Sequence, residues 1–256
     1  MFNKKRLSRF AVTLVIFSLI AALSSCKKAP DKQQQAKPEP TTESNTKTEQ
    51  NTAPVANDKM VPIHIKLPKA VFEGTPTNLR GVTNLEKPLG KARPPFLAPV
   101  GTVNLALGKP ISCSDEEPII GEVSYITDGN KEATDGSFVE FFSGAHTATI
   151  DLGVESEIWA ILIWHYHKQA RVYFDVVAQT SNDPDFIEAT THFNNDTDNS
   201  LGLGVGTDKN YVETSEGKLI NAGGTKARYV RLHCNGSSNN ELNHYIEIEV
   251  YGRPVK

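Results

Sequence analysis

The chain is poor in sulfur and in long apolar runs, and both shortages narrow what it can be. Three Cys in 256 residues exclude a disulfide scaffold and a Cys-rich zinc site. The one uncharged apolar run, the fourteen residues from Phe10 to Leu23, is shorter than the about 20 residues a spanning helix needs. The patterns Gly-x-Ser-x-Gly, His-Glu-x-x-His and the P-loop do not occur. No repeat period of about 20–50 residues is visible, which excludes propellers and solenoids. Positive charge is scarce in the C-terminal part. Residues 103–256 carry 11 Lys/Arg against 23 Asp/Glu, a net −12, whereas residues 1–102 carry 16 against 7. A block so acidic repels phosphate backbones, so nucleic acid is not an expected partner. Its loops suit cations or neutral polar ligands. With 23 acids in one domain, chance acid pairs are expected, and an enzyme is not.

The N-terminus reads as an address. Lys4, Lys5, Arg6 and Arg9 precede the apolar run, as in a secretory signal. Leu23-Ser24-Ser25-Cys26 follows and resembles the lipobox of bacterial lipoproteins, with Ser25 where Gly or Ala is commoner. That resemblance implies a signal peptide over residues 1–25 and a lipidated Cys26. The alternative is an ordinary signal peptide with an incidental Cys. Several acyl chains would anchor the protein firmly, each buried CH₂ contributing about 0.8 kcal/mol. The expected location is the bacterial cell envelope, membrane-attached, the outer membrane before the inner.

Residues 26–60 contain no aromatic residue, no Leu and no Ile. Nothing there offsets the entropy of ordering, so a disordered linker is expected. Residues 61–102 differ, with seven prolines among apolar residues such as Ile63, Ile65, Phe72, Phe96 and Leu97. This segment reads as a Pro-rich extended arm lying against the main domain, or else as more linker.

From Asn104 onward short strand patterns recur. Thr147 to Leu152 alternates. Ile158 to Trp164 is apolar on both faces, as in a central buried strand. Val172 to Gln179, Val230 to His233 and Tyr245 to Tyr251 alternate as well. No helical period exceeds two turns. About 150 residues of strands and Gly/Asn/Asp turns predict an all-β sandwich or barrel with one core.

Several local patterns stand in order: Asn104-Leu-Ala-Leu-Gly-Lys-Pro, Ile126-Thr-Asp-Gly-Asn-Lys-Glu-Ala-Thr134, Thr149-Ile-Asp-Leu-Gly153, Val172 to Asp183, Ala227-Arg-Tyr-Val-Arg-Leu232 and Glu247-Ile-Glu-Val-Tyr-Gly252. The set resembles the discoidin family, also called the coagulation factor 5/8 type C domain, over residues 103–252, and within it the bacterial carbohydrate-binding modules. The resemblance implies a galactose-binding-like jelly roll of about eight antiparallel strands with ligands held by loops at one end. Two aromatic positions depart from the family. The stretch Asp135 to Phe142 has no Trp, and Phe186 stands where a Trp is common.

The Asp128-Gly129-Asn130 turn offers oxygen ligands to a hard cation, or is a plain Asp-Gly turn capped by Asp128. The resemblance implies structural Ca²⁺ here, held by Asp128, Asn130 and Thr134, with Glu247 from the last strand. His165 and His167 share a face at the end of the buried strand. They could start a metal site with His192, His233 or His244, or stack as a polar strand end. As sugar-binding groups, His165, His167, Arg171 and Tyr173 cluster at a strand-to-strand loop. Asn194 and Asp196, in a polar cluster with Asn195, Asp198 and Asn199, are further candidates for a ligand or second cation, or else form a solvated turn. Cys113 and Cys234 either bridge the first strand to the penultimate one or remain separate thiols. The expected function is a non-catalytic envelope protein that binds a glycan or envelope polymer. The alternative is a protein–protein interaction or scaffold module, and a hydrolase stands third.

Overall fold

The computed structural model describes residues 59–71, 79 and 82–255. The signal peptide, Cys26 and most of the linker lie outside them. The strands are β1 (Met60–Pro62), β2 (Leu97–Pro99), β3 (Val103–Asn104), β4 (Ile111–Cys113), β5 (Val139–Ser143), β6 (His146–Trp164), β7 (Val177–Ser181), β8 (Thr190–Asn194), β9 (Lys218–Cys234), β10 (Leu242–Tyr245) and β11 (Glu247–Pro254). One 3₁₀ turn, Val123–Thr127, precedes β5. The fold is an all-β, jelly-roll-like sandwich. Its large sheet has seven strands in the order β3-β11-β6-β9-β7-β8, with β4 also on β6, and β5 and β10 form a second, two-stranded sheet. Every ladder is antiparallel.

β6 organises the sandwich. The alternating stretch from Thr147 and the apolar stretch from Ile158, which read as separate strands, are one 19-residue strand. Its bend is at Gly153 (φ +86), whose N–H donates to Asp151 Oδ1 at 2.7 Å. Ile158, Ile161 and Ile163 face the main core with Phe141, Ile150, Val230, Leu232 and Tyr245. Ala160, Leu162 and Trp164 face the other way, beside Ala133, Ile246 and Tyr251, and Ile63, Ile65 and Phe96 of the arm pack on that second face. A fully buried Ile or Leu contributes about 1.5–3 kcal/mol, so both faces of β6 bear stability.

The arm is held by polar contacts too. β1 pairs with β2. Leu85 bridges to Asn210, and the Arg93 guanidinium donates to the carbonyls of Glu216 (2.9 Å) and Gly217 (2.8 Å).

Two expectations need correction, and of the two alternatives left open for the cysteines the bridge is excluded. The strand expected from Val172 begins only at Val177, because Asp175 adopts φ +51 and the chain from 172 to 176 bonds to the 235–238 loop and Asn195 instead. The strand expected over Tyr245 to Tyr251 is split, since the chain passes from the small sheet to the large one at Ile246. Cys113 and Cys234 are free thiols. Both β4 and β9 pair with residues 148–150 of β6, which therefore lies between them. Two strand spacings come to about 9.6 Å, beyond the about 4.4–6.8 Å between Cα atoms that a disulfide allows.

Candidate functional site

The Asp-Gly-Asn turn follows directly from the 3₁₀ turn, and the start of β11 lies beneath it. Asp128 Oδ1 accepts the Asn130 N–H at 2.7 Å, and Gly129 (φ +86) turns its N–H onto Glu247 Oε2 at 3.0 Å. Glu247 is fully buried and its Oε1 has no hydrogen-bond partner among the described residues. Burial pushes this carboxyl up to about 9, against the Gly129 N–H, and Glu249 adds to the rise. An orphaned carboxylate oxygen beside an Asp turn fits a hard cation. Asn130 and Thr134 lie in the same loop, but both side chains bond Ser137, at 3.3 and 2.9 Å. Two partners were not read from the sequence. Lys131 Nζ sits 2.5 Å from Glu249 Oε1, and the Tyr251 hydroxyl donates to Glu249 Oε2 at 3.0 Å.

At the end of β6 the chain turns into a cluster of aromatic rings and planar donors. Arg171 lies 4.8 Å from the centre of the Tyr166 ring, and Phe138 meets that ring edge-on, also at 4.8 Å. His165 stacks on Tyr173 at 4.3 Å and bonds Glu213 Oε2 through Nδ1 at 3.1 Å. His244 bonds Glu140 Oε2 at 2.9 Å and lies 5.9 Å from Tyr166. The residues singled out from sequence do converge, but deeper than a surface donor would sit. His165, His167 and Tyr173 are 0% exposed and Arg171 5%, while Tyr166 is half-buried. His167 turns away, donating from Nε2 to the Lys131 carbonyl at 2.9 Å.

Electrostatics in the cluster follow from dehydration. Burial drops His165 to about 3 and raises Glu213 to about 8. Both shifts favour the uncharged forms, so at pH 6 the 3.1 Å contact joins a carboxylic acid to a neutral imidazole. Burial and the Arg171 charge hold His244 down to about 4, against the pull of Glu140. Burial raises the Tyr173 hydroxyl, and the nearby Arg171 guanidinium opposes this without a well-aligned hydrogen bond. Arg171 Nη2 reaches Gln169 Oε1 at 3.4 Å, and its Nε and Nη1 have no hydrogen-bond partner among the described residues. Glu213 had no sequence signal, since it enters from a loop 48 residues further on.

Asn194 and Asp196 organise the loop after β8. Asn194 Oδ1 accepts the Asp196 N–H at 2.9 Å, and the Asp196 carboxylate accepts the N–H groups of Ser200 (3.0 Å) and Leu201 (2.9 Å). The carboxylates of Asp175, Asp196 and Asp198 each bring an oxygen within 4.8 Å of the others, a cluster capable of coordinating a metal ion. Burial raises Asp175, helped by Asp196 and Asp198 and opposed by bonds from Ser200 and Asn235. Asp175 escaped the sequence reading because it was placed on a strand.

No family model matches the chain, and no curated protein matches it. Solved structures do. The CBM32 of AlyQ in complex with 4,5-unsaturated mannuronic acid aligns at 18% identity and TM-score 0.40, covering 55% of this chain and 92% of that one. A CBM32 module produced by Clostridium perfringens, in complex with GlcNAc-alpha-1,4-galactose, aligns at 17% identity and TM-score 0.42, covering 60% and 96%. Chitosan-binding module 1 of a chitosanase/glucanase from Paenibacillus sp. IK-5 aligns at 21% identity and TM-score 0.39, covering 59% and 99%.

Proposed function

We propose that this protein is a non-catalytic carbohydrate-binding protein of discoidin-like fold, held at the bacterial cell envelope by a lipid on Cys26. The observation that carries the binding role is the Tyr166 platform. A half-buried ring is flanked by Phe138 and by the Arg171 guanidinium, whose Nε and Nη1 lie buried behind it, next to Gln169 and Lys168 on the same turn. Sugar sites combine such a ring with planar donors fixed at the edge of water. Arg suits the role better than Lys because its paired N–H groups are rigidly directed. The ordered motifs that resemble carbohydrate-binding modules of the discoidin family point the same way. Behind this surface Glu213 fixes the Arg171 backbone, its N–H donating to the Arg171 carbonyl at 2.9 Å, and His165 stacks on Tyr173. The Asp128–Glu247 loop would hold a structural Ca²⁺, with the Glu247 and Asp128 carboxylates as side-chain ligands. Its chemistry there is neutralisation of buried negative charge. The test is a glycan array probed with the chain from residue 26 onward carrying Cys26→Ser, which has no lipid. Specific spots that vanish with Tyr166→Ala support the reading. An array with no specific spot, or spots unaffected by that change, defeats it.

A further inference from the structure

We propose that residues 86–93 of the arm and the 211–219 loop together form a second ligand site, a cationic groove for a short acidic saccharide segment bearing carboxylate or sulfate groups. It is separate from the Tyr166 platform, and either can fail without the other. The groove holds about 660 Å³, within the about 300–1,000 Å³ usual for ligand sites. Its wall carries Lys87, Lys91, Arg93 and Lys218 against Glu86 and Glu216, a local charge of +2. Residues 103–256 as a whole carry −12. A concave cationic patch on an acidic background focuses its field on an incoming anion.

The excess charge resides on two residues. Lys218 pairs with Glu86 at 2.9 Å, and the Arg93 guanidinium is committed to two backbone carbonyls. Glu216 accepts the Arg93 backbone N–H, at 3.2 and 3.3 Å to its two oxygens. Lys87 and Lys91 are exposed and have no acidic partner among the described residues. The wall that presents them is already fixed by the Arg93 bonds and by the Glu86 N–H to the Asn210 carbonyl at 2.8 Å. The site is therefore preorganised, which lowers the cost of binding. Thr214 and Ser215 line the same groove and offer hydroxyls to a sugar. A nucleic acid is disfavoured on two counts. The acidic remainder repels a long phosphate chain, and Tyr211, the aromatic lining residue, is 2% exposed beneath the Lys218 ammonium and cannot stack a base.

The test uses the chain from residue 26 onward with Cys26→Ser, titrated calorimetrically with hexagalacturonate, a heparin-derived hexasaccharide and neutral cellohexaose. A single-stranded oligonucleotide and phosphatidylglycerol vesicles complete the set. One of the two acidic saccharides is expected to bind at 50 mM salt and to weaken severalfold at 300 mM. Lys87→Glu with Lys91→Glu should cut that affinity about tenfold or more while leaving the melting temperature unchanged, both positions being exposed. Tyr166→Ala should leave it intact. Failure of both acidic saccharides to bind, equal affinity in the double variant, equal binding of cellohexaose, or tighter binding of oligonucleotide or vesicles each overturns the proposal.

Discussion

Glu213→Gln should flatten the alkaline side of the protein's stability profile. Glu213 and His165 are both fully buried and 3.1 Å apart. Dehydration raises the carboxyl from 4.5 to about 8 and lowers the imidazole from 6.5 to about 3. Between pH 4.5 and 8 the folded state binds more protons at Glu213 than the unfolded chain does, so stability falls as pH rises. Between pH 3 and 6.5 the folded state binds fewer at His165, so stability falls as pH drops. The two slopes oppose each other from pH 4.5 to 6.5. Above 6.5 only the Glu213 slope remains, and at about 1.36 kcal/mol per unit it removes about 2 kcal/mol by pH 8. Gln has the same shape, can donate to the neutral imidazole and does not titrate. Below pH 4.5, where Glu213 is neutral in both states, the variant should lie within about 1 kcal/mol of the parent; it should gain about 2 kcal/mol on the parent by pH 6 and about 2 kcal/mol more by pH 8. Glu247, raised to about 9, gives both proteins the same additional slope and drops out of the difference. Urea unfolding at pH 6.5, 7.25 and 8 measures this. Parallel profiles for parent and variant would show that Glu213 is already ionised at neutral pH, and would refute the neutral pair.

Calcium should raise the melting temperature after exhaustive chelation, since a ligand of the folded state at 100 times its Kd adds about 2.7 kcal/mol. Asp128→Ala or Glu247→Ala should abolish the rise, and a rise lost in Asp196→Ala but kept in Asp128→Ala would move the ion to the Asp175 cluster. Cys26→Ser should release the protein from membranes and prevent labelling by radioactive fatty acid; a variant that stays fully membrane-bound defeats the anchor. Burial pushes both Cys113 and Cys234 up to about 12. Neither should react quickly with iodoacetamide at pH 8, and both should do so in 6 M guanidinium, so rapid native labelling would contradict the full burial of Cys234 or the dehydration of the half-buried Cys113.

The strands were legible where alternation is local. Ile158 to Trp164 is apolar on both faces because a second layer, the arm, covers the face turned away from the core. The arm's Ile63, Ile65 and Phe96 were visible as apolar residues, but no spacing indicates where they dock. Asp175 was misplaced on a strand because alternation says nothing of a φ of +51. At the candidate site, the polarity of His165, His167 and Arg171 suggested exposure. They are buried because Glu213, His244 and the Lys131 carbonyl, 36 to 79 residues away in the chain, accompany them into the interior. The approach of Glu247 to the Asp128 turn spans 118 residues and came from the family resemblance, not from spacing.

The β1–β2 pairing also sets how the protein yields when pulled. Chain upstream of residue 59 enters beside the point where β2 runs on into the sandwich, because Met60 faces Pro99 and the Val100 N–H reaches the Lys59 carbonyl at 3.0 Å. A load on that upstream chain therefore acts at the open end of the pair and breaks its bonds one at a time, rather than shearing them together. Beyond the pair the chain is held again by the Ile63 N–H on the Phe96 carbonyl at 2.9 Å and by the Tyr251 hydroxyl on the His64 carbonyl at 3.3 Å. The arm would then act as a mechanical fuse that lengthens under tension while the sandwich stays folded.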